Sequence, residues 1–390
     1  MKKEITFLIK VMNGGGAERV ISLLSRAAIE RGHPVTLILT HQPKAEAKLE
    51  NIDKNIIVIS LPDEAGKPET SPLFMLWARL LGKLGFKEKS SVLKYHARNA
   101  NSVSWLKKYF RKHKSSAAVA FLYDSIFLTL LAKNKTTKVI VSERGDPEQS
   151  SGSKTVAAFM KTKLPKADGV VFQSPDAQKW YLENTPVKGT VIFNPVKPDL
   201  PEPYCGKRKK RIVNFCRISA QKNLLMLVDA FALFHKDFPD YELDIIGDSV
   251  GNGIEGYIEA INERIRNNGC EDCIHILPSR RDIHEYVKDY AMFVSSSDFE
   301  GMSNSMLEAM ALGLPVICTD CPAGGARAVI RNGENGILSP VGNANALYLA
   351  MKNLAESPEF AEMLGKNAVK IRTEQSVENI IEKWMDIING

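Results

Sequence analysis

Two hydrophobic periods alternate along this chain. Short runs that are almost wholly apolar read as strands buried on both faces. Between them apolar residues return every third or fourth position, which reads as helix. The first forty residues show the unit once: a strand at Ile5 to Val11, a tight turn at Gly14, Gly15 and Gly16, and a helix from Ala17 to Glu30 with Val20, Leu23, Leu24 and Ala27 on one face. Gly32 stops that helix, and Val35 to Thr40 is the next strand. Further strands are predicted at Ala117 to Leu122, Lys138 to Ser142, Gly169 to Gln173 and Thr190 to Phe193. Alternation of this kind predicts a parallel sheet with helices on both faces.

The pattern breaks between residues 194 and 211, where NPVKPDLPEPYCGKRKKR holds four prolines and a basic run. That composition reads as a linker. A second alternation follows, with strands at Arg211 to Arg217, Glu242 to Ile246, Ile274 to Leu277, Met292 to Ser295 and Pro315 to Cys318. Helices are predicted at Leu224 to His235, Tyr257 to Asn267, Asp282 to Lys288, Ser305 to Leu312, Asn345 to Glu356 and Val377 to Asn389. A length of 390 residues suits two domains. The expectation is two doubly wound α/β domains facing a cleft, over residues 1–197 and 198–374, with the terminal helix in 375–390 packing back on the first. Ligands of such sheets bind at the carboxyl ends of the strands.

Composition narrows the class little further. Apolar residues at 44% and charged residues at 25% exclude a disordered chain, a collagen and a disulfide scaffold. No run of 18 apolar residues occurs, and the start MKKEITFLIKVMNGGG is too short for a signal-peptide core, so a cytoplasmic chain is expected. Cys270/Cys273 and Cys318/Cys321 have C-x-x-C spacing, but 44 residues lie between the pairs, against the roughly 15 to 20 of four-thiolate zinc sites. No metal site is assigned.

Three sets of residues carry candidate chemistry. The glycine turn puts backbone N–H groups and a helix dipole where an anion could sit. It is not G-x-G-x-x-G, and Thr40-His41 occupies the place where a dinucleotide site wants an acidic residue. Taken alone, the turn serves equally as a plain strand-to-helix connection. Arg217, ending a strand, and Lys222, before the next helix, suit a diphosphate, though two cations five residues apart are commonly just solvated. In SDFEGMSNSMLEAMALGLPV, Glu300 lies in a loop and Glu308 on the helix that follows, beside N–H donors near Ser303 and Asn304. A carboxylate can accept from two sugar hydroxyls, and a helix start favours phosphate. A surface helix with two incidental glutamates fits the same residues.

Together these motifs resemble the retaining glycosyltransferases of family four, which have the two-Rossmann GT-B fold. The family's E-x7-E appears as Glu300 and Glu308, and its Arg/Lys diphosphate pair as Arg217 and Lys222. GGGAERV at Gly14 to Val20 and SERGDP at Ser142 to Pro147 resemble a bacterial GGxER branch that builds lipid-linked or surface glycans. The resemblance implies a hexose or N-acetylhexosamine transferase using a nucleotide-diphosphate sugar, UDP-linked by preference, with no cofactor and no metal. It places the donor on Arg217, Lys222, Glu300, Met302, Ser303, Asn304 and Glu308, with Glu300, Arg217 and Lys222 catalytic, and the acceptor near Gly15, Gly16 and Arg144. Two departures stand out. Gly325-Ala326-Arg327-Ala328 lacks the carboxylate many members carry there. Leu122-Tyr123-Asp124 stands where many carry a histidine, so no catalytic histidine is assigned.

Two rival readings fit parts of the chain. A nicotinamide oxidoreductase needs the acidic residue missing after the second strand. An inactive binding relative should have lost one of Arg217, Lys222, Glu300 and Glu308, and all four are present. Charge suggests the acceptor. Residues 67–114 hold 12 Lys or Arg and two acidic residues, a net +10 against +7 for the whole chain. Within them LFMLWARLLGKLGF, Leu73 to Phe86, carries only Arg79 and Lys83, four apart on one helical face. This is the pattern of a helix lying in an anionic membrane surface, through residues 73–114, near a polyprenyl-linked glycan acceptor. A buried helix with a solvated basic flank is the alternative. No nucleic-acid motif accompanies the charge.

Overall fold

The computed structural model describes residues 2–41, 52–66, 69–113, 117–249 and 254–390; Lys67 and Lys114 of the basic segment lie outside them. The chain divides into two compact units, Met1–Pro195 with Val377–Gly390, and Val196–Ser376.

The first unit is built on seven parallel strands: β1 Ile5–Ile9, β2 Val35–Leu39, β3 Ile57–Ser60, β4 Ala117–Phe121, β5 Lys138–Ser142, β6 Gly169–Phe172 and β7 Thr190–Val191. Their order is β3-β2-β1-β4-β5-β6-β7. β1, β2 and β4 are buried along their whole length, as helices on both faces require. One face is covered by the helix Gly16–Glu30 and by the returning helix Val377–Asn389. Ile380, Ile381 and Trp384 of that returning helix are at most 1% exposed, and Trp384 stacks on Phe121 at 5.6 Å. Each such side chain contributes roughly 1.5–3 kcal/mol by leaving water.

The helix Pro72–Lys83 differs from all of this. It begins at the Ser71 cap, and only Ala78 is buried, beneath the hydroxyl of Ser90 in the next helix, Lys87–Arg98. Leu73, Leu76, Trp77 and Leu80 are 43–63% exposed, as are Leu84 and Phe86 in the turn that follows. These spacings place one apolar stripe on the outside of the unit. The helix is therefore not a buried one, and it ends at Lys83 rather than at Phe86 because Gly85 turns left-handed, at φ 85.

The second unit has six parallel strands: β8 Lys209–Phe215, β9 Glu242–Ile246, β10 Ile274–Leu277, β11 Tyr290–Ser295, β12 Val316–Thr319 and β13 Ile337–Ser339, in the order β10-β9-β8-β11-β12-β13. The proline-rich segment is tied to this unit. Val196 N–H donates to Gln375 O at 2.7 Å, and the Arg208 guanidinium donates to Gly313 O at 2.6 Å and to Lys288 O and Tyr290 O at 3.0 Å. Cys270 and Cys273 are buried in its core. No helix among the described residues is long and apolar enough to cross a membrane.

Candidate functional site

In a sheet of this order the strand sequence reverses between β8 and β11, and the crevice outside their carboxyl ends is where ligands of doubly wound sheets bind. Arg217 lies two residues past the end of β8 and is exposed. No hydrogen bond or ion pair holds its side chain among the described residues. Lys222 closes the short turn Ala220–Lys222 and is 9% exposed. Its ammonium pairs with the carboxylate of Glu300, in the loop after β11. Burial alone would push the lysine's pKa down. Glu300 more than offsets it and holds Lys222 charged, while Arg217, close enough to be felt, works against it.

Several contacts lock these loops together. Asn223 adopts the left-handed conformation that Asn tolerates and caps the helix Leu224–Asp237; its amide donates to Asp298 at 2.7 Å. Gln221 Nε2 donates to Phe299 O at 2.7 Å, Asp298 N donates back to Gln221 O, and Ser296 Oγ donates to Lys222 O at 2.8 Å. The Glu300 loop also packs on the loop after β12. A Cβ at Gly325 would lie 1.6 Å from Gly301 O, so only glycine lets the backbones touch there. Arg327, in the segment that departs from the family pattern, clasps Asp320, donating to its carbonyl at 3.0 Å. Beneath Glu300 lies a small pocket lined by Ser295, Ser297, Cys318, Thr319, Cys321 and Ala326. Burial pushes the Cys321 thiol up to about 12 and Cys318 higher still, so neither is a nucleophile near neutral pH.

Met302 and Ser303 are buried, and Ser303 caps the helix Asn304–Ala311 by accepting from Met306 N at 3.3 Å. Glu308 is inside that helix, 4% exposed, against the imidazole of His284 at 2.9 Å. The structure thus joins Lys222 with Glu300, sets Arg217 beside them, and gives Glu308 a partner that sequence reasoning missed. His284 carries no periodic signal, and 24 residues separate it from Glu308. Among the described residues no group of three or more His, Cys, Asp or Glu is gathered as a metal set.

In the first unit the glycine turn starts the helix Gly16–Glu30, with Gly14 at φ 88. Glu18 folds back to accept from Gly15 N at 2.9 Å, so this N–H already faces a carboxylate. Arg144 is 9% exposed. It donates to Ser142 Oγ at 3.3 Å and to Asn194 Oδ1, and lies over the Phe121 ring at 5.1 Å. Burial lowers its pKa to about 9, against the pull of Glu143. Glu143 is itself buried. Its Oε1 accepts from Arg144 N and Gly145 N, and its Oε2 from Tyr181 Oη at 2.9 Å. Burial raises its pKa, although these donors oppose the rise. Gln173 joins by donating to Asn194 Oδ1 at 2.9 Å. Of this second network the sequence offers only the Ser142–Pro147 stretch; Tyr181, Gln173 and Asn194 join it through the fold.

Comparison with known proteins agrees with this layout. Residues 14–200 match the model for Glycosyltransferase Family 4, and residues 209–357 the model for Glycosyl transferases group 1. Between them the two models cover most of the chain, which belongs to this glycosyltransferase family. The N-acetylgalactosamine-N,N'-diacetylbacillosaminyl-diphospho-undecaprenol 4-alpha-N-acetylgalactosaminyltransferase of Campylobacter jejuni is 24% identical over 386 residues, 95% of this chain and 94% of that one. The chain spans about half the length of several other curated relatives it matches, at 49%, 46% and 52%. Among solved structures, TarM of S. aureus superimposes with a TM-score of 0.79 at 16% identity, covering 100% of this chain and 99% of that one. HepE of Anabaena, in complex with UDP and glucose, gives 0.77 at 18%, covering 100% of both. The fold is GT-B: two Rossmann-like α/β domains, each on its own parallel sheet.

Proposed function

We propose that the protein transfers a hexose or N-acetylhexosamine from a nucleotide-diphosphate sugar, UDP-linked, to a polyprenyl-linked glycan with retention of configuration and without a metal. The observation that carries this is the grouping of Arg217, Lys222 and Glu300 at the switch point of the second sheet. In this reading the two cations receive the diphosphate and stabilise it as it leaves. They stand in for a divalent ion, and the chain has no Asp-x-Asp to anchor one. Glu300 faces the transferred sugar, Glu308 accepts from the ribose hydroxyls, and Met302, Ser303 and Asn304 border the donor. Gly15 and Gly16 lie toward the acceptor, with Arg144 supporting that edge from beneath. The UDP bound by HepE and the diphospho-undecaprenol substrate named for the Campylobacter relative support the choice of donor and acceptor. The outward stripe of Leu73, Leu76, Trp77 and Leu80, flanked by lysines, supports docking on an anionic membrane surface.

Thermal shift against a panel of nucleotide sugars tests the donor; a ligand at 100 times its Kd adds roughly 2.7 kcal/mol. Transfer of labelled sugar to a lipid-linked acceptor should then proceed in excess EDTA. Activity lost in chelator and restored by magnesium overturns the metal-free reading. A panel without any shift overturns the donor. Vesicle co-sedimentation tests the surface: wild type should bind anionic vesicles and release in high salt, and Trp77→Ser with Leu76→Ser should bind less. Equal binding by both proteins removes the helix from the membrane reading.

A further inference from the structure

Glu308 is held by a side chain that no sequence motif contains. His284 sits on the short helix Ile283–Val287, just before β11, and is 7% exposed. Its Nε2 is 2.9 Å from Glu308 Oε2, and its ring stands edge-on to Phe215, 6.2 Å away at 89°. An ionised carboxylate only accepts, so Nε2 carries the proton between them. Phe215 sets the plane of the imidazole, and the imidazole fixes one oxygen of the carboxylate.

We propose that His284 is the positioning residue for Glu308. It sets the carboxylate at the angle that meets the ribose hydroxyls, so that the choice of a ribonucleotide over its 2′-deoxy counterpart depends on His284. This rests on the reading of Glu308 as the ribose-holding residue. The physical reason is preorganisation. A carboxylate already fixed by a buried imidazole, itself braced by an aromatic ring, meets the ribose hydroxyls without first being ordered. More of their hydrogen-bond energy then appears as affinity and is lost with the analogue lacking a hydroxyl.

The experiment is a binding titration with the full chain. UDP, GDP, ADP and CDP are compared first, and the tightest is then compared with its 2′-deoxy form and with inorganic pyrophosphate. Wild type should prefer the ribonucleotide by about tenfold or more. In His284→Phe that preference should fall to about twofold, while pyrophosphate affinity stays within about twofold of wild type. His284→Gln, whose amide can donate to the same oxygen, should keep most of the preference. If melting curves show His284→Phe unfolded, His284→Met reads the same ratio. A variant that loses the imidazole yet keeps the full wild-type preference overturns the inference and leaves Glu308's role intact. A wild type that binds a nucleotide but does not distinguish ribose overturns both.

Discussion

The carboxyl edges of the two sheets have the same construction and opposite chemistry. In the first unit Glu143 takes hydrogen bonds from Tyr181, Arg144 N and Gly145 N, and Arg144 is spent on Ser142 and Asn194. In the second, Lys222 pairs with Glu300, and the exposed Arg217 holds no hydrogen bond or ion pair among the described residues. The buried network of the first edge fixes a shape, although Arg144 Nε and Gln173 Oε1 are left without a partner among the described residues. At the second edge one cation is left over a loop that its neighbours hold in place, and the proposed donor site rests on that feature. The difference teaches where each unit's charge is used: one edge spends its arginine on internal contacts, and the other leaves one exposed.

Breaking the second edge should give the largest effect. Lys222→Ala or Arg217→Ala should cost about 3–4 kcal/mol of transition-state stabilisation, read as a loss of about 10² to 10³ in kcat/KM with the donor. A loss under about threefold for both variants would take the pair out of the site. Breaking the first edge should instead cost stability. Arg144→Met removes a buried, charge-assisted network and should lower unfolding free energy by about 2–3 kcal/mol, with nucleotide affinity unchanged. An intact melting temperature would show that the network is dispensable. Gly325→Ala lies between these cases. Its methyl meets Gly301 O, so it should shift the Glu300 loop, cost about 1–3 kcal/mol and weaken donor binding together.

The smallest effect concerns the exposed helix pair. The His96 and Phe74 rings pack with centroids 4.7 Å apart and planes tilted by 38°, joining Pro72–Lys83 to Lys87–Arg98. Burial first, then Lys107 and Lys163, lower its pKa from 6.5 to about 4. The unfolded chain therefore takes up a proton that the folded chain refuses. Its contribution is complete above pH 6.5 and is lost as pH falls toward 4. His96→Gln should flatten melting temperature against pH in that window; an unchanged slope would place the acid sensitivity elsewhere.

Much of this was legible in the sequence because buried parallel strands are nearly continuous apolar runs between amphipathic helices. β1, β2, β4 and β5 are of that kind. β3 and β13 were passed over for physical reasons. β3 is an edge strand whose Ile57 and Val58 are exposed, and β13 is three residues long. Strand Thr190 to Phe193 shrinks to two residues because β7 pairs only with β6, at the margin of the sheet. In the site, residues that share a loop with a glycine or a proline announced themselves. Partners brought together by folding, such as His284 with Glu308 and Tyr181 with Glu143, did not, since neither pair has a local period to betray it.

The returning helix Val377–Asn389 has a consequence for how the protein is made. Ribosomes deliver the seven strands of the first unit early, yet Ile380, Ile381 and Trp384 emerge only after the whole of residues 196–376. Until then the face of the first sheet that includes Phe121 and Ile140 is covered only by the helix Gly16–Glu30. The nascent first unit therefore exposes part of its core until residues 377–389 leave the ribosome, and its closure cannot precede the synthesis of the second unit. A fragment of residues 1–195 should accordingly bind a hydrophobic dye and release it when a peptide of residues 377–390 is added.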